Sequence, residues 1–300
     1  MGISCCLIVK DEENYIRSAL NSVKGLADEI IVVDTGSRDK TKEIAKEFTD
    51  KIFDFKWNDN YSEARNFSLR KANQDWILVL DADEIIMRED HEKIKKLTKS
   101  KDYIGYALEQ ISYLNDSGVY GFTPIIEKNN YSKDFNGYIS CNIIRLFRNM
   151  NEVYFEGAVH ESVDNSIKKL GEVKKTDLKI HHYQFEKGMD VQREKQLQYL
   201  KIYEKNIDNY PNKARAYRDI GMIYYTFADN YEKAVESFKK SLELSQNNVK
   251  TYVGLSLSLI KLNRLEEARK YIELGLNIYS QNQQLNFLWN FVNSRINSKA

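Results

Sequence analysis

Short, nearly unbroken apolar runs alternate with amphipathic stretches over about the first 90 residues. The run Ile3–Val9 predicts a strand. Residues 14–23 carry Ile16, Ala19, Leu20 and Val23 at helical spacing. Residues 29–33 predict a second strand, and Asp34-Thr35-Gly36-Ser37 a turn after it. Residues 39–48 predict a helix with Ile44, Ala45 and Phe48 on one face; 51–55 predict a short strand, and 63–72 another helix. The apolar run 75–80 then leads straight into Asp81-Ala82-Asp83. Strands apolar on both faces and separated by helices predict an α/β domain on a mixed, mainly parallel sheet.

The pattern changes twice further on. Residues 103–112 alternate like a strand, and 143–147 and 178–183 also read as strands. Asp116-Ser117-Gly118 and Phe135-Asn136-Gly137 are turn signals. This region predicts an antiparallel extension with long loops. From Val191 onward the chain reads as long helices. Tyr217, Ile220, Gly221, Tyr224, Ala234 and Phe238 reappear as Tyr252, Leu255, Ser256, Leu259, Ala268 and Ile272. The offset is 35 residues from Tyr217 to Tyr252 and 34 from Ala234 to Ala268, with the extra residue assigned to the turn at 227–230. A period of about 34 with small residues at helix crossings resembles the tetratricopeptide repeat. Helices at 191–209 and 284–296 would flank the two repeats and support them, since about three repeats are needed for independent stability. The predicted domains are 1–188, α/β, and 189–300, all-α.

Composition narrows the function classes. The 300 residues hold 45 basic and 44 acidic side chains, interspersed, for a net charge of +1. That balance gives no bulk electrostatic case for nucleic acid or an anionic membrane. No apolar run reaches the roughly 20 residues needed to cross a bilayer. The apolar start meets Lys10-Asp11-Glu12-Glu13 at once and reads as a strand rather than a signal peptide. Cys6 occupies the position where an N-myristoylation motif needs Ser or Thr. The three cysteines, Cys5, Cys6 and Cys141, lack metal-ligand spacing and predict reduced thiols in a cytoplasmic protein.

Candidate chemistry gathers at strand ends. A buried strand closing on two carboxylates one residue apart must offset their desolvation. A divalent cation shared with a phosphate does so; a solvated surface turn is the plainer reading of Asp81 and Asp83 taken alone. Ligands of parallel α/β sheets bind beyond the carboxyl ends of the strands. Asp11-Glu12, Asp34 and Asp81-Ala82-Asp83 all follow such ends, so three acidic clusters are expected to converge on one edge.

The ordered motifs 8–14, 33–41, Ala64-Arg65-Asn66, Leu80-Asp81-Ala82-Asp83-Glu84, 155–161 and His182-Tyr183 resemble the inverting glycosyltransferases of family 2. The branch carrying C-terminal tetratricopeptide repeats is the most similar. The resemblance implies a GT-A nucleotide-diphospho-sugar transferase domain and a hexosyl- or N-acetylhexosaminyl-transferase activity on a nucleotide sugar, with UDP-sugar favoured over GDP- or dTDP-sugar. It assigns Val9, Glu12, Asp34, Arg65, Asp81 and Ala82 to the donor. Asp34 would accept the uracil N–H, Glu12 would line the base or ribose, and Arg65 would fork onto the diphosphate. Asp81, Asp83 and His182 would hold a divalent cation, with the imidazole favouring Mn²⁺ over Mg²⁺. Glu161 is the expected general base, with Glu156 and Glu84 as competitors.

Two departures bear on these expectations. The family usually shows Asn where this chain has Asp11, and often two acids where it has Asp59-Asn60; the first leaves donor preference open. Trp57 and Tyr61 read as core aromatics or as a sugar-facing wall. The run 93–96 reads as a solvated helix face. Peptide-holding repeat grooves favour a peptide or protein acceptor over a glycan or lipid-linked one, and a homo-oligomer through the helical domain is compatible with such surfaces. A scaffold with an inactive nucleotide-binding domain is the reading from another class. A sugar nucleotidylyltransferase lacks its Gly-rich phosphate loop here.

Overall fold

The computed structural model describes residues 1–117, 119 and 121–298, so Gly118 of the expected turn lies outside the described residues. The chain divides into two compact units, Met1–Gln192 and Arg193–Ala300.

The first unit is organised by one mixed sheet. Its strands are β1 (Ile3–Val9), β2 (Glu29–Asp34), β3 (Ile52–Asp54), β4 (Trp76–Val79), β5 (Glu84–Ile86), β6 (Gly105–Leu114), β7 (Thr123–Pro124), β8 (Gly137–Arg148) and β9 (Val173–His182). They lie in the order β3-β2-β1-β4-β8-β6-β9-β5, with β7 added on β8. The half formed by β3, β2, β1 and β4 is parallel. Strand β8 runs antiparallel to both β4 and β6. Strand β9, by contrast, runs parallel to β6. The expected antiparallel extension is therefore only partly antiparallel. The long connection from β8 to β9 carries α5 (Asp164–Lys168), whose Ile167 packs under the sheet with Phe147 and Phe155, and this crossover lets β9 re-enter in the direction of β6.

Alternation along each strand explains the continuous apolar runs. Ile3, Cys5, Leu7 and Val9 face one core, with Leu78 and the buried side chains of α1 (Ile16–Ser22). Cys6, Ile31, Val33, Ile77 and Val79 face the other, with Leu69 of α3 (Tyr61–Leu69). Cys5 and Cys6 are buried in opposite layers, and all three cysteines are free thiols. Helices α2 (Thr41–Lys46) and α4 (His91–Leu97) complete the unit.

The helical unit contains α7 (Lys213–Thr226), α8 (Tyr231–Leu244), α9 (Val249–Lys261), α10 (Leu265–Ile278) and α11 (Gln283–Asn297), after α6 (Met189–Asn206). Side chains of Asn212, Asn230, Asn248 and Asn282 cap α7, α8, α9 and α11 by accepting backbone N–H bonds. Phe238, fully buried on α8, lies between two glycines. A β-carbon on Gly221 would meet its ring at 2.9 Å, and one on Gly254 at 2.4 Å. Both glycines are thus required by close helix approach. No described helix is long and apolar enough to cross a membrane.

Candidate active site

The site begins where β1, β2, β4 and β9 end. Val9 is buried and pairs in register with Asp34; its carbonyl accepts from Thr35 N (2.9 Å) and Thr35 Oγ1 (3.1 Å). The buried Asp34 carboxylate accepts from the amides of Gly36 and Ser37, both at 2.8 Å. It organises its own loop rather than capping α2. Gly36 has φ +112°, which requires glycine there. Asp11, the departure from the usual Asn, has φ +54°, a conformation both residues tolerate. Its Oδ1 accepts from Arg38 N at 2.7 Å.

Helix α3 delivers the first cation. Asn60 starts the helix by accepting from Glu63 N at 3.2 Å, while Asp59 beside it takes φ +61°. In Ala64-Arg65-Asn66 each residue has a separate task. Ala64 is buried against the sheet. Asn66 clasps the backbone of Phe155 by donating to its carbonyl (3.0 Å) and accepting from its N–H (2.8 Å). Tyr61 N donates to Ala158 O at 2.9 Å. These bonds fix loop 155–162, which is closed by the Glu156–Ser162 backbone bridge and turned by Gly157 and His160 at positive φ. Glu161 is thereby presented to Arg65, whose Nε donates to Glu161 Oε1 at 3.0 Å. Glu156 faces Asn165 instead, at 2.9 Å. Trp57 and Tyr61 meet edge to face at 4.7 Å between centroids, half-buried beside this loop.

Asp81 lies between two guanidinium groups. Arg65 Nη2 pairs with its Oδ1, and Arg145 Nη2 with its Oδ2 at 2.8 Å. Burial opposes the Asp81 charge, but Arg145 and Arg65 outweigh it and hold the carboxyl well below the usual carboxylate range. Arg145 also reaches Glu84 Oε1 at 2.9 Å. Glu84, fully buried, accepts from the Asp81 N–H at 2.8 Å and from Gln110 Nε2 as well. Arg65 Nη1 and Arg145 Nε are buried without a hydrogen-bond partner among the described residues.

A second group forms around Asp83. His182 Nε2 lies 3.5 Å from Asp83 Oδ1, and its Nδ1 is 2.9 Å from Ser112 Oγ. Burial disfavours the imidazolium; Asp83, Glu84 and Asp81 outweigh burial and raise His182 above its ordinary value. The neighbouring His181 points to the opposite face, 2.7 Å from Tyr113 Oη, and burial pushes it down to about 4. Lys187 Nζ lies 2.8 Å from Asp83 Oδ2 and 2.7 Å from Glu12 Oε1. Ala82, between the two aspartates, is buried.

The expected residues thus fall into a cluster of Arg65, Asp81 and Glu161, a cluster of Asp83, His182 and Glu12, and the strand-end pair Val9 and Asp34. Arg145 and Lys187 join the clusters without having been anticipated. Arg145 had a readable signal, an arginine inside the apolar run 143–147, since a charge in a buried strand needs a counter-ion. Lys187 had none.

Among the described residues no three His, Cys, Asp or Glu side chains form a closed metal site. The donor set does suit a cation shared with a phosphate, because such ions are held by one or two protein ligands and complete their shell with phosphate and water oxygens. Asp83 and His182 would be such a pair, although Asp83 also meets Lys187; both oxygens of Asp81 face arginines.

Family models match both parts of the chain. Residues 4–153 match glycosyl transferase family 2, and residues 214–248 and 249–282 each match the tetratricopeptide repeat. A TPR repeat-containing protein of Synechococcus elongatus is 36% identical over 165 residues, 55% of this chain and 36% of that one. The SPbeta prophage-derived glycosyltransferase SunS of Bacillus subtilis is 28% identical over 278 residues, 91% of this chain and 61% of that one. The chain therefore spans between about a third and three fifths of the length of these curated relatives. S. aureus TarS in complex with UDP-GlcNAc aligns with a TM-score of 0.49 at 14% identity, over 94% of this chain and 93% of that one. With the family match extending over half of its residues, from β1 through β8, this chain belongs to glycosyl transferase family 2.

Proposed function

We propose that the chain is an inverting glycosyltransferase that moves a sugar from a UDP-sugar to a polypeptide acceptor, with a divalent cation at the diphosphate. The observation that carries this reading is the convergence of buried arginines and carboxylates at the carboxyl edge of the sheet. Glu12, Asp81, Asp83, Glu84 and Glu161 face three permanent cations, Arg65, Arg145 and Lys187. His182 aside, these acids outnumber the arginine and lysine side chains by two before a diphosphate adds its own charge. Such an excess calls for a divalent cation, and the nitrogen ligand His182 favours Mn²⁺ over Mg²⁺.

Asp83 and His182 would hold that cation, and Asp81 would reach it on giving up an arginine. When bound, the cation supplies Lewis-acid stabilisation of the departing nucleoside diphosphate. Asp34 and Glu12 would hold the nucleoside, beside the backbone of Val9 and Ala82. Arg65 has an unsatisfied N–H group, Nη1, to offer a phosphate oxygen. Arg65 also holds Glu161 at 3.0 Å. As Arg65 turns toward the donor phosphates, Glu161 is released to take the acceptor proton in a single displacement from the face opposite the diphosphate. The helical repeats support a peptide or protein acceptor.

Calorimetry of UDP binding with and without Mn²⁺ tests the donor reading. We expect binding that strengthens with Mn²⁺ and weakens in Asp83→Ala; binding indifferent to both refutes it. Intact mass of candidate proteins after incubation with UDP-sugars tests the acceptor, and product confined to glycan refutes the polypeptide.

A further inference from the structure

Lys187 is unusual among the lysines of this chain. Its side chain is only 15% exposed, and its ammonium contacts two carboxylates from different strand ends, Glu12 after β1 and Asp83 after β4. It also lies 5.1 Å from the centre of the Tyr15 ring. Lysines are rarely buried to this degree unless paired.

The lysine sits on a single helical turn, Gln184–Lys187, directly after His182 and Tyr183. That turn is tied down at one end and hinged at the other. Tyr183 N donates to Asp83 O at 3.0 Å, Tyr183 Oη donates to Tyr131 O at 2.9 Å, and Glu186 pairs with Lys133 at 2.6 Å. Gly188 follows with φ +83° and ψ 159°, a conformation open essentially to glycine alone.

Resting on the donor-site reading above, we propose that Lys187 is an exchangeable cation of the donor site: it occupies Asp83 until a divalent cation takes that carboxylate. The physical reason is crowding of like charge. Asp83 offers one oxygen to Lys187 at 2.8 Å and turns the other toward His182 at 3.5 Å. An ion of Mg²⁺ size binds a carboxylate oxygen at about 2.0–2.1 Å, so ion and ammonium would lie within a few ångströms among largely buried side chains and repel. They alternate rather than coexist. Before loading, Lys187 offsets the charge of Glu12 and Asp83 and keeps both acids in place. On loading it leaves Asp83, and the turn relaxes about Gly188.

Two measurements on the full chain test this, neither relying on activity. The first is Mn²⁺ affinity by calorimetry without nucleotide: Lys187→Met should bind about tenfold more tightly than wild type, and Lys187→Arg should not. The second is amine acylation of the wild-type chain read by mass spectrometry. Lys187 should be protected relative to the exposed Lys46, and saturating Mn²⁺ should remove that protection. If wild type binds Mn²⁺ while Lys187→Met binds it no better and Lys187 stays protected, the exchange is refuted. Turnover of a UDP-sugar in the same sample would then leave the transferase reading standing. Absence of both cation binding and turnover would refute both.

Discussion

Replacing Glu29 with glutamine tests how the parallel strands are held at the end opposite the site. Glu29 opens β2, and its side chain is 2% exposed. It accepts from Ser4 Oγ of β1, from Asn73 N (2.8 Å) and Asn73 Nδ2 (3.0 Å) before β4, and pairs with Lys51 before β3. One carboxylate therefore ties together the starts of the four parallel strands whose far ends carry Val9, Asp34 and Asp81. Burial opposes its charge, but the Lys51, Ser4 and Asn73 bonds prevail and lower it from an ordinary value of 4.5 to about 2. At about 1.4 kcal/mol per pH unit, that difference corresponds to an upper value of about 3 kcal/mol. Lys51 is 47% exposed, and solvent screens its share, so about 2 kcal/mol is expected.

The sign follows from linkage. A carboxylate lowered by folding stabilises fully above its unfolded value and loses that contribution as pH falls through its folded one. Glu29→Gln should cost about 2 kcal/mol at pH 7, and more than half of the gap to wild type should close by pH 3. Urea unfolding followed by tryptophan fluorescence measures it. A Trp289→Phe background leaves Trp57 and Trp76 to report on the sheet unit. A gap of the same size at pH 3 and pH 7 would show that the Glu29 charge is not what holds these strands.

Two further outcomes are expected. Arg145→Met leaves Asp81 and Glu84 without their shared guanidinium and should cost about 3 kcal/mol or more in chemical denaturation; Arg145→Lys should recover only part, lacking the planar fork. Gly254→Ala places a β-carbon 2.4 Å from the Phe238 ring and should cost about 1–3 kcal/mol in the helical unit, read by circular dichroism; Phe238→Leu in the same chain should recover some of that loss.

How legible the fold was depended on how local each signal is. The alternation of runs and amphipathic stretches located β1 to β4 and their helices because that information lies within a few neighbouring residues. Helix ends shifted where a single side chain decided them: α3 begins at Tyr61 because Asn60 caps it, although the apolar spacing starts later. Strand direction in 100–185 was not local, and β9 proved parallel to β6. The approach of Glu12 to Asp83 was readable from strand ends, whereas His182 came from the family resemblance. Arg145 reaches Asp81 and Glu84 only because β8 inserts beside β4, and Lys187 meets Glu12 across 175 positions of sequence. Spacing along the chain does not encode such meetings. Gly254 was missed for a related reason, since the repeat matched Gly221 to Ser256 while the close approach to Phe238 also falls on Gly254.

The path of the chain between β4 and β5 has a consequence for permitted lengths. Strand β4 lies in the interior of the sheet and β5 at its edge, with β8, β6 and β9 between them in the order, yet only residues 80–83 connect the two. Glu84 must land opposite His182 while its carboxylate meets Arg145. An insertion or deletion of a single residue in this connection would turn Glu84 to the wrong face of β5 and separate Asp83 from His182. The distance in sequence from Asp81 to Glu84 is therefore fixed by the sheet as firmly as the side chains are fixed by the chemistry. Length variation in this protein is expected to gather in loops that do not span other strands.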